Sequence, residues 1–211
     1  MDKKEKVIMV VKRELLFRED SFQGFKSSEK VNYEARALES YEWMKRGLAE
    51  EDPNFKQPIA YSLIMNSRSK KIFAYQRASH DAKYQEKRLQ GKWSWGVGGH
   101  IEKLDIGMAE LNPIQRSMQR ELEEEIEMSG SVLSTRVLGY INDDEDAVGR
   151  VHFGLLYVVD TDSKVIKPKD PEIAVGSLMS IEDLEKIASS PDCKLEGWSR
   201  ISLGQLRKIL I

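Results

Sequence analysis

The residues best suited to chemistry in this sequence are the glutamates of the segment RELEEEIEM, which covers residues 120–128. If this segment is helical, Glu121, Glu124 and Glu125 are spaced i, i+3 and i+4, so that they share one face. Beside that face, apolar residues recur every four positions and predict a stripe that packs against the core, formed by Met118, Leu122 and Ile126. The pattern therefore places three carboxylates along the edge of a buried helix face.

Three like charges on one helix face repel each other, and a surface helix usually offsets this repulsion with a lysine four residues later. Here the positions four residues after the three glutamates hold Glu125, Met128 and Ser129. A bound cation explains the arrangement better, and carboxylates without histidine or cysteine favour hard ions such as Mg²⁺ or Mn²⁺. The alternative is an ordinary solvated acidic face, because charge runs usually lie at the surface.

A glycine-rich segment, GVGGHIE at residues 96–102, precedes the acidic helix. Glycine lets the backbone approach a ligand or a metal closely, so this turn is a second candidate element of a site. The alternative is a bulge or tight turn with a purely structural role.

Together the two segments resemble the Nudix box, the loop–helix signature of the Nudix hydrolases. The family pattern is Gly, five residues, Glu, seven residues, and then Arg-Glu-apolar-any-Glu-Glu-any-Gly-apolar. Its second half matches residues 120–128 and its first half begins at Gly99. The flanking segments IFAYQR and EGWSR also resemble the family, and the likeness covers roughly residues 57–205.

The sequence departs from the family pattern at two places. The spacing from Gly99 to Arg120 is seven residues longer than in the family, which indicates an insertion. The position of the family's first Glu is consequently Asp105 when counted from Gly99 and Asn112 when counted back from Arg120, and Glu110 lies between them and is favoured. In addition, the family's final Gly is replaced by Glu127.

The resemblance implies an α/β fold, the Nudix-type α/β/α sandwich with a mixed sheet. It implies hydrolysis of a diphosphate linkage, usually in a nucleoside diphosphate derivative, by water that a divalent metal activates. One of Glu124 and Glu125 would act as general base, and Arg120 would orient the glutamates by ion pairing. By match to the motif, the metal ligands would be Glu121, Glu124, Glu125 and the backbone of Gly99.

Basic residues precede the glycine-rich turn and are candidate phosphate contacts: Arg77, Lys83, Lys87, Arg88 and Lys92. Arg77 and Arg88 are favoured because a guanidinium can bind phosphate through two hydrogen bonds. His100, directly after the glycines, is a further candidate for substrate binding. The alternative for each basic residue is a solvated loop position. A structural role is favoured for His152, and core packing for Trp93 and Trp95.

Two functions of different classes follow. The first is a metal-dependent Nudix pyrophosphohydrolase, and the second is a non-catalytic Nudix-like module that senses a nucleotide or binds a partner. The longer box and Glu127 motivate the second. A diphosphate isomerase ranks last, because Cys193 lies far along the chain from the acidic segment.

Composition limits the partners. The chain has 211 residues and a formal net charge of −2, which indicates neither a nucleic acid nor a membrane surface as partner. Its single cysteine excludes an internal disulfide framework and fits the cytoplasm. The apolar run near the N-terminus is too short for a signal peptide, and no run reaches membrane-spanning length. A small phosphorylated molecule is the expected partner.

The elements that must position these residues follow from the apolar patterning. Residues 1–56 are expected to form an N-terminal extension, with a strand over Val7–Val11 and a helix from Ser28 to about Glu51, that packs on the main domain or mediates homodimer contacts. Residues 57–211 form the expected Nudix domain. Its strands are predicted at residues 57–66, 70–77, 132–141 and 150–160, and its helices at residues 113–129, from Ser180 and from Ser202.

Overall fold

The computed structural model describes residues 3–78, 89–107 and 111–210. In chain order the strands are β1 (Val7–Lys12), β2 (Gly24–Ser27), β3 (Tyr41–Lys45), β4 (Phe55–Asn66), β5 (Lys71–Arg77), β6 (Trp93–Ser94), β7 (Ile126–Met128), β8 (Val132–Asn142), β9 (His152–Thr161), β10 (Ile166–Pro168) and β11 (Ile173–Met179). The α-helices are α1 (Arg13–Phe17), α2 (Tyr33–Ser40), α3 (Arg46–Ala49), α4 (Pro113–Glu125), α5 (Ile181–Ser189) and α6 (Gly197–Leu210). The prediction of a mixed α/β protein is confirmed.

The chain forms two compact units. The first comprises residues 1–61, 98–120 and 137–157, and the second comprises residues 62–97, 121–136 and 158–211. The predicted division into an extension of residues 1–56 and a domain of residues 57–211 stays a prediction. In the described parts of the chain, no helix is both long and apolar enough to cross a membrane.

In the first unit, β1 provides the central apolar strand. It pairs antiparallel with β3, from Val7 opposite Lys45 to Val11 opposite Tyr41, and its end pairs with the start of β4. Its apolar residues from Ile8 to Val11 are buried. The strand order there continues as β4-β9-β8-β2, and β2 pairs antiparallel with β8.

The predicted helix over residues 28–51 is wrong. Helix α2 begins after Asn32, whose side chain accepts a hydrogen bond from the Ala35 backbone N–H at 2.9 Å, and it ends at Ser40. The next residues form β3 instead, because its aromatic residues Tyr41 and Trp43 suit a strand and the edge of β1 offers hydrogen-bond partners. Apolar residues recur at helical spacing across both α2 and β3, so the pattern did not reveal the change from helix to strand.

In the second unit, the strand order is β11-β5-β4, and β6 adds to β5 with Tyr75 opposite Ser94. The predicted helix from Ser180 is confirmed as α5, and it begins with a capping box in which Ser180 and Asp183 bind each other's backbone N–H groups. Trp95 is buried, as expected for a core residue, and its indole N–H donates to the Ser202 hydroxyl at 2.9 Å.

The predicted helix over residues 113–129 is too long, and the C-terminal helix begins earlier than expected. Helix α4 ends at Glu125, because Ile126–Met128 leave it to pair with β10 as a two-stranded ribbon. Helix α6 begins at Gly197 rather than at Ser202. The strands β10 and β11 were not predicted, because short strands on a partly exposed edge carry little periodicity.

A buried lysine in the first unit is held by charged and carbonyl oxygens. Lys56 is fully buried, and its Nζ donates to Asp144 Oδ1 at 2.9 Å and to the Gly149 carbonyl at 2.8 Å. Arg13 binds both carboxylate oxygens of Asp144. Burial lowers the pKa of Lys56 to about 8. Hydrogen bonding from Arg13, followed by Lys56, holds the pKa of Asp144 well below its usual value.

The depressed pKa of Lys56 sets a pH dependence of stability. Between pH 8 and the ordinary lysine value of 10.5, the unfolded state binds more protons than the folded state, so the free energy of unfolding rises with pH. The rise is expected to reach about 3 kcal/mol. Urea unfolding at several pH values between 7.5 and 10 checks this, with Lys56→Met as the comparison. If wild type and variant show the same pH slope, the interpretation of Lys56 is wrong.

Candidate active site

The glycine-rich turn in the first unit lies directly on strand β4. A Cβ atom on Gly98 would stand 2.3 Å from the Ala60 carbonyl oxygen, so no other residue fits there without moving the backbone. His100 forms an antiparallel bridge with Ile59 one step further along. Gly99, the predicted backbone metal contact, lies between these two anchored residues and takes its position from them.

Arg120 joins this turn to an acidic residue. Its Nε donates to Asp105 Oδ1 at 2.9 Å, and its Nη2 donates to Asp105 Oδ2 and to the His100 carbonyl, both at 3.0 Å. Asp105 is buried and also accepts from the Glu102 backbone N–H at 2.7 Å. The carboxylate and the guanidinium thus fix the turn and the start of the insertion together.

The structure separates two of the three candidates for the family's first Glu position. Asp105 makes the ion pair with Arg120. Asn112 caps α4, because its side-chain oxygen accepts from the Gln115 N–H at 3.0 Å. Glu110, the favoured candidate, lies outside the described residues. Asp105 occupies the position counted from Gly99, so the insertion follows the ion pair. The predicted pairing of Arg120 with the catalytic glutamates stays a prediction.

The ring of His100 lies inside the first unit. Its Nε2 is 2.8 Å from Gln57 Oε1 and 3.1 Å from His152 Nε2, and His152 Nδ1 is 2.7 Å from the Val148 carbonyl. The Val148 contact assigns the proton of His152 to Nδ1, so its Nε2 accepts from His100. Burial, with Arg46 and His152, lowers the pKa of His100 well below its usual value. These contacts agree with the structural role favoured for His152, and substrate binding by His100 stays a prediction.

In the second unit, Glu125 stands in an acidic environment. Its Oε2 atom is buried and has no hydrogen-bond partner among the described residues. Burial raises the pKa of Glu125 to about 8, the positive charge of Arg77 opposes the rise, and the charges of Glu121, Asp170 and Glu196 add to it. A carboxylate that is enclosed and surrounded by like charges requires a cation or a proton.

The backbone after β10 fixes the end of the helix that carries this carboxylate. The carbonyl of Glu125 accepts from the Lys169 N–H at 2.8 Å and from the Asp170 N–H at 3.3 Å. The Lys169 ammonium group donates to the Glu123 carbonyl, where it also complements the helix dipole. Glu123 and Glu124 are exposed, and Glu121 is half-buried.

Arg77, a predicted phosphate contact, lies near Glu125 in a fixed orientation. Its Nε donates to Glu196 Oε1 at 2.5 Å, and its Nη2 donates to the Tyr75 hydroxyl at 3.1 Å. Glu196 is buried. Arg88, the other favoured arginine, lies outside the described residues. Glu196 and Tyr75 were not predicted as site residues, although Glu196 begins the EGWSR segment that resembles the family.

The donor groups around Glu125 fit a hard divalent cation. They are carboxylate oxygens, and the buried Oε2 of Glu125 is a ligand atom that nothing else in the described chain satisfies. Within residues 3–78, 89–107 and 111–210, no three acidic, histidine or cysteine side chains converge as a complete metal cage. Mg²⁺ does not require one, since it commonly keeps several waters and binds through one or two carboxylates together with substrate phosphates.

Comparison with known proteins places the chain in a family. Residues 56–195 match the family model of the NUDIX domain. Protein YmaB of Bacillus subtilis (strain 168) is 34% identical over 206 residues, covering 95% of this chain and 97% of that protein.

Solved structures give the same result. Tm1382, described as a candidate Nudix hydrolase, superposes with a TM-score of 0.76 at 27% identity over 97% of this chain and 100% of its own. The NUDIX domain of Shewanella oneidensis NrtR, solved with ADP ribose, shares the fold with a TM-score of 0.53 at 15% identity, over 74% of this chain and 89% of its own. The fold is the Nudix-type sandwich that the acidic helix and glycine-rich turn predict. The chain belongs to the NUDIX-domain family, and it is an enzyme of the Nudix pyrophosphohydrolase class.

Proposed function

We propose that the protein hydrolyses the diphosphate linkage of a nucleoside diphosphate derivative and requires Mg²⁺ or Mn²⁺. The observation that carries the proposal is the buried Oε2 of Glu125, which lacks a hydrogen-bond partner in the described chain and is surrounded by acidic residues. An unpaired buried carboxylate oxygen costs stability, so this atom requires a proton or a cation. A role as metal ligand would supply the cation.

Each site residue has a proposed role in metal binding or proton transfer. Glu121, Glu124, Glu125 and the Gly99 backbone would hold the metal. When bound, the metal would neutralise phosphate oxygens and lower the pKa of the attacking water. Glu124 or Glu125 would take the proton of that water, and the raised pKa of Glu125 supports a group that can hold a proton near neutral pH.

Arg77, Arg88 and His100 remain the proposed substrate contacts. For Arg77, support comes from its fixed geometry, since Glu196 and Tyr75 hold its guanidinium and less side-chain entropy is lost when it meets a phosphate.

The substrate is proposed to be a small phosphorylated molecule. A homodimer and a location in the cytoplasm are also proposed, the latter supported by the unpaired state of the single cysteine, Cys193.

A panel of nucleoside diphosphate compounds that includes ADP-ribose tests the activity and the metal requirement together. With Mg²⁺ or Mn²⁺, release of a nucleoside monophosphate is expected from at least one compound. Removal of the metal by EDTA is expected to reduce the rate by several orders of magnitude, since the metal contributes several kcal/mol of charge stabilisation. Rates and products are measured by chromatography.

Two results would contradict parts of this proposal. A folded protein that binds Mg²⁺ and a nucleotide by calorimetry, but turns over no compound, would instead match the non-catalytic module. Turnover that persists unchanged in EDTA would contradict the metal requirement alone.

A further inference from the structure

A cavity lies in the second unit, within the region formed by β5, β10 and β11. Its volume is about 410 Å³. This volume is in the lower part of the range for small-molecule sites, roughly 300–1,000 Å³. The polar residues that line it are Lys71, Lys164, Lys167, Ser69, Ser177 and Asn66.

The lining of the cavity carries a net positive charge, although one carboxylate outside the lining, Glu127, lies opposite Lys167 in the β7–β10 ribbon. Among the described residues, none of the ammonium groups of Lys71, Lys164 and Lys167 has an ion-pair partner, and no acidic residue belongs to the lining. The neighbouring carboxylates have other partners: Asp160 accepts from the Ser67 N–H at 3.0 Å, and Asp162 accepts from the Ser131 N–H at 2.7 Å. Three lysines around one concave surface give it a positive potential, which attracts a multiply charged anion.

The walls of the cavity are fixed by internal contacts. Asn66 is buried, and its amide donates to the Ser163 carbonyl and accepts from the Ser69 N–H, both at 2.9 Å. A Cβ atom on Gly176 would stand 2.8 Å from the Phe73 ring, so the glycine lets β11 lie close to that ring. The polar floor and the strand wall are therefore formed before any ligand arrives.

This cavity is distinct from the acidic environment of Glu125. Neither Arg77 nor Glu125 nor Glu196 lines it. Lys71 and Arg77 mark opposite ends of β5, about 20 Å apart at the usual rise of a strand. A ligand in the cavity would thus contact a different set of charges from a substrate at Arg77.

We propose that this cavity binds a small molecule that carries a diphosphate or an equivalent pair of phosphate groups. Lysine ammonium groups are strong point-charge partners of phosphate oxygens, and three of them match an anion of several charges better than a single carboxylate. The hydroxyls of Ser69 and Ser177 supply neutral donors. The volume of the cavity fits a small molecule.

The test is titration calorimetry with methylenediphosphonate, a diphosphate analogue that cannot be hydrolysed, in buffer with EDTA so that no metal-bound form contributes. The wild-type protein is expected to bind with an affinity in the millimolar range or better. The Lys164→Gln/Lys167→Gln variant is expected to bind roughly tenfold more weakly or worse, because two charge contacts are lost.

Matched variants separate a specific site from general charge. Lys186→Gln/Lys208→Gln removes the same charge from exposed positions on α5 and α6 and is expected to bind like wild type. Lys164→Arg/Lys167→Arg keeps the charge and should retain binding. Glu124→Gln should also bind like wild type, which places the ligand away from the proposed catalytic residues.

Three results would overturn the proposal: no binding by wild type at millimolar ligand, equal binding by the Lys164→Gln/Lys167→Gln variant, or an equal loss in Lys186→Gln/Lys208→Gln. Binding of hexaglutamate without binding of the diphosphonate would also overturn it, in favour of an acidic peptide. None of these results depends on turnover, so failure here leaves the proposed hydrolase activity untouched.

Discussion

Replacing Glu124 or Glu125 with glutamine is expected to lower kcat by about 100- to 10,000-fold or more at saturating Mg²⁺. Glutamine keeps the size and one carbonyl oxygen of the side chain but removes the charge that would bind a cation and accept a proton. The effect should be large for Glu125, whose Oε2 is buried without a partner in the described chain. Steady-state kinetics on the best compound of the nucleotide panel measures it.

Glu123→Gln is the matched control for these two variants. Glu123 lies on the same helix and is exposed, and it makes its recorded contact through its backbone carbonyl. Its activity is expected to stay within about twofold of wild type, as for most surface changes. If Glu123→Gln loses as much activity as Glu125→Gln, the assignment of the catalytic face is wrong.

Thermal unfolding distinguishes loss of chemistry from loss of folding. Without metal and above pH 8, where Glu125 is ionised, Glu125→Gln is expected to unfold at a temperature no lower than wild type, because the variant no longer buries an unpartnered carboxylate. The stabilisation that Mg²⁺ gives to wild type should be reduced in the variant. A variant that unfolds well below wild type would make the kinetic result uninformative for Glu125, and Glu124→Gln, at an exposed position, then carries the test.

Replacing Asp144 with alanine is expected to lower the free energy of unfolding by about 3 kcal/mol. The variant leaves Lys56 fully buried with only carbonyl partners and leaves Arg13 without its carboxylate. The figure is at the lower end for a broken buried pair because the Asp144 side chain is 30% exposed, so water compensates in part. Urea unfolding at pH 7 measures it.

Asp143→Ala is the control, since this neighbouring carboxylate contacts Gln23 at the exposed surface and is expected to contribute less than about 1 kcal/mol. Adding Lys56→Met to Asp144→Ala should recover part of the loss, because the buried charge disappears with its partner. Equal destabilisation by Asp143→Ala and Asp144→Ala would show that the loop as a whole matters, rather than the buried pair.

Local chemistry predicted part of the fold around the proposed site. The stripe of Met118, Leu122 and Ile126 is buried, and the hairpin of β4 and β5 forms where it was expected. Each of these depends on residues close in sequence. The family itself followed from the spacing of the glutamates.

The features that could not be predicted from the sequence depend on contacts between residues that are distant along the chain. Strand β3 exists because β1 offers it an edge, and α4 ends early because β10 offers one to Ile126–Met128. The pairs Arg120–Asp105 and Arg77–Glu196 join residues far apart in number. Whether Glu121, Glu124 and Glu125 share a metal stays a prediction, because it depends on an ion rather than on the chain alone.

The two N–H groups that hold the Glu125 carbonyl belong to the main chain of Lys169 and Asp170. Every residue type except proline supplies such a group, so related sequences can vary at these positions while the helix end stays in place. The end of the helix that carries the proposed metal ligands is thus held by backbone contacts, which do not depend on the type of side chain. Neither a sequence alignment nor an alanine scan would reveal these hydrogen bonds, because both methods report on side chains.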